Sequence, residues 1–309
     1  MVADAIIIGG GPAGLSAALV LARCRRNVIV IDAGHTRNAA ARHMHNYLTR
    51  DGVPPREFRR LARAELRNLG VRTLNATAVD AARNRDGLFT IRLASGRELR
   101  SRALLLATGV VDVLPQVPGF DTLYGRTIHH CPYCDGYPYA DKRLAAYGKG
   151  RAAIGLAMLL KQWTDDVIAC TDGEPLTAAD RARAKRHGIA LRESRVTRFE
   201  GRAGRLRRVH FSRGEPLDRD GLFFNTGQVQ RSGLAAKLKC EFKDNGGIRT
   251  DRRQCAGMPG LYVAGDADRE VQFVVVAASQ GATAGTAINQ DLLRRFPGAP
   301  RARVSANSR

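Results

Sequence analysis

The sequence is poor in cysteine, aromatic residues and lysine, and it has no long apolar run. Six cysteines in 309 residues do not make a disulfide-stapled scaffold. The fold must then rest on an apolar core, and 44 % hydrophobic residues in a chain of this length suffice for two compact domains. Aromatics make up only 6 % and are not interleaved with the basic stretches, which leaves no platform for stacking nucleobases. Of the 50 basic residues only 7 are Lys; the Arg residues are spread along the whole chain, which reads as coding bias. The net charge of +21 therefore does not point to a nucleic-acid partner, although it favours acidic ones. No apolar stretch approaches the roughly 20 residues of a membrane helix. The N-terminus lacks a basic leader, its apolar residues 5–8 passing straight into glycines. A cytoplasmic protein without a membrane partner is expected.

What is present is organised twice over. Residues 5–8 read as a buried strand, Gly9 to Gly14 as a loop, 15–23 as a helix and 28–31 as a second strand ending at Asp32. A helix over 55–69, short strands over 71–100 and a strand over 104–106 follow, the last ending in Ala107-Thr108-Gly109. Pro115 and Pro118-Gly119 mark a crossing. A second strand, glycine loop, helix and strand then occupy 144–147, 148–150, 152–163 and 167–170, with another strand at 222–224. Residues 260–263 form a strand running into Gly265-Asp266-Ala267, and a helix over 277–296 precedes Pro297-Gly298 and a basic tail. The pattern predicts an α/β protein with two Rossmann-like dinucleotide-binding units.

Gly9-Gly10-Gly11-Pro12-Ala13-Gly14 fits G-x-G-x-x-G between a strand and a helix, with Asp32 closing the next strand. Gly9 serves the tight turn, Gly11 the approach of a pyrophosphate and Gly14 close helix packing, while Asp32 suits a ribose hydroxyl. Free amides at the helix start attract phosphate. The second loop, Gly148-Lys149-Gly150-Arg151-Ala152-Ala153, fits G-x-G-x-x-A with Asp172 at the matching position. An acid there suits a ribose 2′-hydroxyl and repels a 2′-phosphate. Gly148, Gly150, Ala153 and Asp172 read equally as an NADH-type site or as a fold remnant that binds nothing.

Cys131-Pro132-Tyr133-Cys134-Asp135-Gly136 is the sharpest signal. Two cysteines at this spacing can close a small disulfide and make one thiol reactive. Asp135 beside them can shuttle a proton. A zinc half-site is the competing reading, but no second pair completes four ligands, and no metal is expected. His129 and His130 precede the pair; one of them, taken as His130, is a candidate relay or otherwise a loop residue. Cys24, Cys170, Cys240 and Cys255 read as buried, inert thiols.

Together the Gly9–Gly14 loop, Ala107-Thr108-Gly109, the Cys131–Gly136 motif, the Gly148–Ala153 loop and Gly265-Asp266-Ala267 resemble the thioredoxin-reductase-like flavoproteins over nearly the whole chain. The resemblance implies a three-layer FAD/NAD(P)-binding fold. An FAD domain over 1–116 and 230–300 is split by a nicotinamide-type domain over 117–229 that carries the cysteines, with a disordered tail over 301–309. It implies FAD held by Gly9, Gly11, Pro12, Ala13, Gly14, Asp32, Thr108, Gly109, Asp266 and Ala267, with Asn46, Gln272 and Val274 near the flavin ring. Cys134 would face the flavin, Cys131 would exchange with substrate and Asp135 would be the acid/base. A homodimer is implied too. The chain departs from the reductases in having Thr171-Asp172-Gly173 in place of the His-Arg-Arg NADPH clamp, Ile154-Gly155-Leu156 where a Glu is common, and Gln272-Phe273-Val274 for Arg-Gln-Ala. Arg37-Asn38-Ala39, His43-Met44-His45 and Val271-Gln272 look more like the branch with dithiol oxidases of the gliotoxin and holomycin type. The expectation is an FAD-dependent thiol/disulfide oxidoreductase oxidising a dithiol with oxygen or another acceptor. The alternatives are a thioredoxin reductase using NAD(P)H on a thioredoxin-like protein, NADH being admissible, and a non-catalytic protein that keeps the fold to bind a partner or nucleic acid.

Overall fold

The computed structural model describes residues 2–298, so the expected tail lies outside the described residues. The chain divides into two compact units. The first runs to Ala39 and resumes over Asn46–Val111 and from Val229; the second comprises Ala40–His45 and Asp112–Gln228. The sequence reading places the crossings at 116/117 and 229/230 and does not foresee residues 40–45. These are drawn into the second unit by a close backbone approach, a Cβ at Gly125 falling 2.1 Å from the Ala40 carbonyl.

In the first unit, Arg72–Asn75, Val28–Asp32, Val2–Ile8 and Glu98–Leu106 lie side by side as parallel strands, with Leu261–Val263 beyond the last. The inner strands Val2–Ile8 and Val28–Asp32 are covered on both faces, which is why they read as apolar runs. Ile6 and Ile8 join Ile29, Ile31, Leu104 and Leu106 in one core, where Phe89, Ile91 and Leu234 also pack. Ala5 and Ile7 face the other way, with Val28, Val30 and Leu105, under the helices Pro12–Arg23 and Val274–Arg295. The first helix has Pro12 in its first turn, where a missing N–H costs nothing.

The last helix docks on the first through small residues. A Cβ at Gly281 would stand 2.0 Å from the Ala13 carbonyl oxygen. Gly281→Val should therefore force the two helices apart and cost about 2–3 kcal/mol, read as a lowered denaturant midpoint of the purified protein; an unchanged midpoint would refute this packing.

The second unit is a parallel sheet in the order Ala190–Arg192, Val167–Cys170, Leu144–Gly148, Gly221–Asn225 and Ile128–His129. Helix Arg151–Leu160 packs on it, and helix Ala178–Arg186 starts at a Thr177/Asp180 capping box. A three-stranded antiparallel sheet, Val196–Arg202, Arg205–Phe211 and Leu217–Asp218, adds Val196, Phe199 and Val209 to the core. Ile128–His129 is not foreseen from sequence because two residues carry no readable period. Pairing with Leu222 and Phe223 makes it a strand, and it delivers the chain to the cysteine motif.

Two cysteines are not buried as expected. Cys24 is exposed where it ends the first helix, and Cys255 is half-buried. Cys170 and Cys240 are buried, and burial pushes the Cys170 thiol up to about 12.

Candidate functional site

The first glycine loop is built around close approaches. Gly9 has φ +121°, and a Cβ there would lie 2.1 Å from the Ala107 carbonyl oxygen; one at Gly14 would lie 1.9 Å from the Gly9 carbonyl. Gly11 is different. It takes an ordinary extended conformation, and a Cβ there would meet nothing within 4 Å. Among the described residues the amides of Gly11, Ala13 and Gly14 meet no protein acceptor. Three free N–H groups over open space at the start of a 12-residue helix make a cradle for a pyrophosphate.

The other predicted cofactor residues gather round it. A Cβ at Gly265 would touch the Ala13 methyl at 2.9 Å, and one at Gly109, beside Thr108, would lie 3.9 Å from the Asp266 Cβ. Arg37, which the sequence reading noted only as part of a branch pattern, ties two predicted residues together. Its Nη1 donates to Asp266 Oδ2 at 3.0 Å and to Gln272 Oε1 at 2.8 Å. Behind them the Gln280 carbonyl accepts from the Gly265 amide while its amide group donates to Asp268. Ala267 is buried, and its carbonyl accepts from Ile248 and Gln230. Val274 opens the last helix, and Asn46 stands at a left-handed turn with its amide bonded to Asp51.

Asp32 is buried against Gly10, whose Cβ would lie 2.2 Å from Oδ2. It accepts from the Gly34 amide at 2.9 Å, from Arg59 at 3.0 Å and from Arg63. Burial works against ionisation here, but the Gly34 hydrogen bond and the two guanidinium groups outweigh it, so the carboxyl is held below its usual range. Arg59 and Arg63 were missed from sequence. Their i, i+4 spacing on helix Pro55–Asn68 was a signal available there. The cradle, the carboxylate at the next strand end and the Arg37–Asp266 bridge fit the adenosine and pyrophosphate parts of FAD.

The second glycine loop is spent on itself. At the positions matching Gly11, Ala13 and Gly14, the Gly150 amide donates to Thr171 (3.1 Å), Ala152 to Lys149 (3.2 Å) and Ala153 to Gly150 (3.2 Å). Gly150 is at φ +51°, and the Glu174 Cβ lies 3.6 Å from where its own Cβ would be. Gly148 is confined by the Asn225 carbonyl. Asp172 faces inward: Oδ2 accepts from the Tyr147 hydroxyl at 2.7 Å and Oδ1 from the Val196 amide at 3.0 Å. Burial and that bond to Asp172 hold the Tyr147 phenol above its ordinary range.

Cys131 and Cys134 form a disulfide, with Cα atoms 5.2 Å apart. Cys131 caps the short helix Pro132–Asp135, its Sγ accepting from the Cys134 amide at 3.1 Å. Among the described residues no group of three or more His, Cys, Asp or Glu side chains lies together as a metal site would require. Asp135 is partly exposed, and its Oδ1 lies 3.5 Å from Nδ1 of buried His129. His130, the histidine chosen from sequence, has its Nδ1 3.2 Å from the Tyr124 hydroxyl. Trp163 packs over Gly136 and edge-on to Tyr133, while Tyr133 and Tyr137 are exposed beside the pair. The unit thus presents an oxidised dithiol, a carboxyl and an aromatic rim.

The chain is similar to known proteins in sequence and fold. Residues 3–281 match the family model for pyridine nucleotide-disulphide oxidoreductases. The chain is 32 % identical to the thioredoxin reductase tcpT of Claviceps purpurea, over 96 % of both chains. The crystal structure of HlmI superposes with a TM-score of 0.91 at 36 % identity, covering 95 % of this chain and 93 % of that one. That of an oxidoreductase from Agrobacterium tumefaciens gives 0.86 at 32 % identity, covering 96 % and 100 %. No helix among the described residues is long and apolar enough to cross a membrane. With its two Rossmann-like units and its cysteine pair, the chain belongs to the pyridine nucleotide-disulphide oxidoreductase family, as a thioredoxin-reductase-like flavin enzyme acting on sulfur groups.

Proposed function

We propose that this enzyme oxidises a dithiol substrate by exchange at Cys131–Cys134, with oxygen or another acceptor as the final oxidant and no nicotinamide in the cycle. The observation that carries this reading is the contrast between the two glycine loops: the amides free at Gly11, Ala13 and Gly14 are consumed at Gly150, Ala152 and Ala153. A nicotinamide dinucleotide needs those amides for its pyrophosphate. The second unit spends them on its own backbone, and Asp172 is tied to Tyr147 and Val196.

A substrate thiolate attacks Cys131 Sγ, the Cys131–Cys134 bond breaks, and Cys134 leaves as a thiolate. The second substrate thiol then attacks its own sulfur in the mixed disulfide, forming the substrate disulfide and releasing Cys131. Asp135 gives a proton to a departing thiolate or takes one from an entering thiol. Bound FAD would supply a two-electron acceptor for the reduced pair. Gly11, Ala13, Gly14, Asp32, Thr108, Gly109 and Asp266 would hold it, as would Arg37 once its bridge is shared with a phosphate. Tyr133 and Tyr137 favour a compact, partly apolar dithiol. A cytoplasmic homodimer is part of the same reading.

The opposite direction, from NAD(P)H to a thioredoxin-like protein, is favoured by the name of the relative tcpT. Anaerobic titration separates the two. A dithiol should bleach the flavin within one turnover, and air should restore the colour with formation of hydrogen peroxide. Rapid bleaching by NADPH or NADH instead would overturn the oxidase reading.

A further inference from the structure

His129 has no assigned part in the chemistry above, yet its surroundings fix its hydrogens. Its Nε2 lies 3.1 Å from the Arg126 carbonyl oxygen and 3.1 Å from the Tyr139 hydroxyl. That hydroxyl in turn lies 3.1 Å from the same carbonyl. A carbonyl oxygen only accepts, and a phenol has one hydrogen to give. If Nε2 carried no hydrogen, Tyr139 could serve one acceptor of the two and leave two lone pairs facing each other in a buried place. If Nε2 carries the hydrogen, Tyr139 donates to Arg126 and Nε2 donates to the Tyr139 oxygen, and every group is satisfied. Burial and the neighbouring Asp135 push the Tyr139 phenol up to about 12, so it stays a donor at neutral pH.

The tautomer has a consequence at the other nitrogen. In a neutral ring, Nδ1 then presents a lone pair to Asp135 Oδ1 at 3.5 Å. Two lone pairs at that separation repel unless a proton stands between them. The other groups facing the ring supply none: Phe223 packs against it, the Arg126 side chain extends towards Gly204, and Lys142 sits over the Tyr139 ring. Ile128–His129 is the edge strand of the parallel sheet, so the ring is held by a rigid element while Asp135 lies in the helix that follows.

We propose that His129 is a positioning residue that keeps one proton shared with Asp135, so that Asp135 meets the leaving thiolate as a loaded acid. The inference rests on the reading of Asp135 as the acid/base. When the S–S bond breaks, the electron pair stays on the departing sulfur, which takes the shared proton; the proton from the next entering thiol returns to the pair. No other reactant is needed.

The test uses the FAD-loaded enzyme with dithiothreitol as the probe, in anaerobic single turnovers. Acid quench, alkylation and mass spectrometry read the reduction of Cys131–Cys134 across pH. His129→Asn keeps a donor near Nδ1 but cannot share a titrating proton. It should slow reduction about tenfold and move the falling alkaline limb to lower pH. Asp135→Asn should slow reduction and flatten that limb, and the double variant should be no slower than Asp135→Asn alone. His129→Gln likewise removes the titrating ring, so it should move the same limb in the same direction. It serves if His129→Asn does not fold. An Asp135→Asn enzyme at wild-type rate would remove the acid/base reading and this proposal with it. A slow Asp135→Asn enzyme beside an unmoved limb in His129→Asn or His129→Gln, or a double variant in which the losses multiply, would overturn the proposal alone.

Discussion

Replacing Cys134 by Ser should leave the protein folded and yellow while dithiol oxidation falls to background, a loss on the order of 10⁴-fold or more. A serine hydroxyl cannot form the S–S bond that accepts electrons, and at neutral pH it is far weaker as a nucleophile than a thiolate. The local fold should survive, since the helix cap is made by the Cys134 backbone amide and Cys131 Sγ rather than by the Cys134 side chain. Cys131 would remain as a single thiol. It should capture a linear disulfide probe as a mixed disulfide, with no neighbouring thiol to resolve it. Oxygen uptake measures the lost turnover, and intact-protein mass spectrometry shows the trapped adduct. Turnover near the wild-type rate would remove the pair from the chemistry.

Gly11→Asp should abolish FAD retention without harming the polypeptide. The backbone at Gly11 is extended, its Cβ would meet nothing, and the position caps a helix, where Asp is favoured. The apoprotein should unfold at the same temperature or slightly higher. The added carboxylate would occupy the space over the free amides and repel the pyrophosphate, weakening FAD by roughly a hundredfold or more, about 3 kcal/mol or beyond. Flavin absorbance after purification and fluorescence titration of the apoprotein measure it. Stoichiometric flavin in this variant would place the pyrophosphate elsewhere. Gly14→Val is the contrast: its Cβ would run into the Gly9 carbonyl, so stability itself should fall.

Much of the frame was legible because it is local. The apolar run before Gly9, the glycine spacing and Asp32 depend only on residues close in the chain, and Val28–Asp32 and Val167–Cys170 fall where the sequence puts them. The cysteine spacing likewise fixes which two sulfurs can join. The strand Ile128–His129 and the antiparallel sheet over 196–218 were not legible, since pairing partners rather than composition create them.

The two glycine loops show where sequence stops. By spelling they are near twins, and each is followed by an aspartate at nearly the same distance, 23 residues after Gly9 and 24 after Gly148. Their amides meet different ends: free over the Gly11 cradle in one, turned onto the Thr171, Lys149 and Gly150 carbonyls in the other. Likewise the sequence offers His129 and His130 side by side, and only the sheet edge and the following helix decide which ring meets Asp135. Sequence by itself determined the family, the doubled α/β layout and the redox pair, because these follow from residue identity and spacing. Tertiary structure alone decided which loop keeps free donors, which arginines surround Asp32 and Asp266, and which histidine serves the carboxyl. Each of these is a matter of where a hydrogen-bonding group points once distant segments have packed, and spacing does not encode that direction.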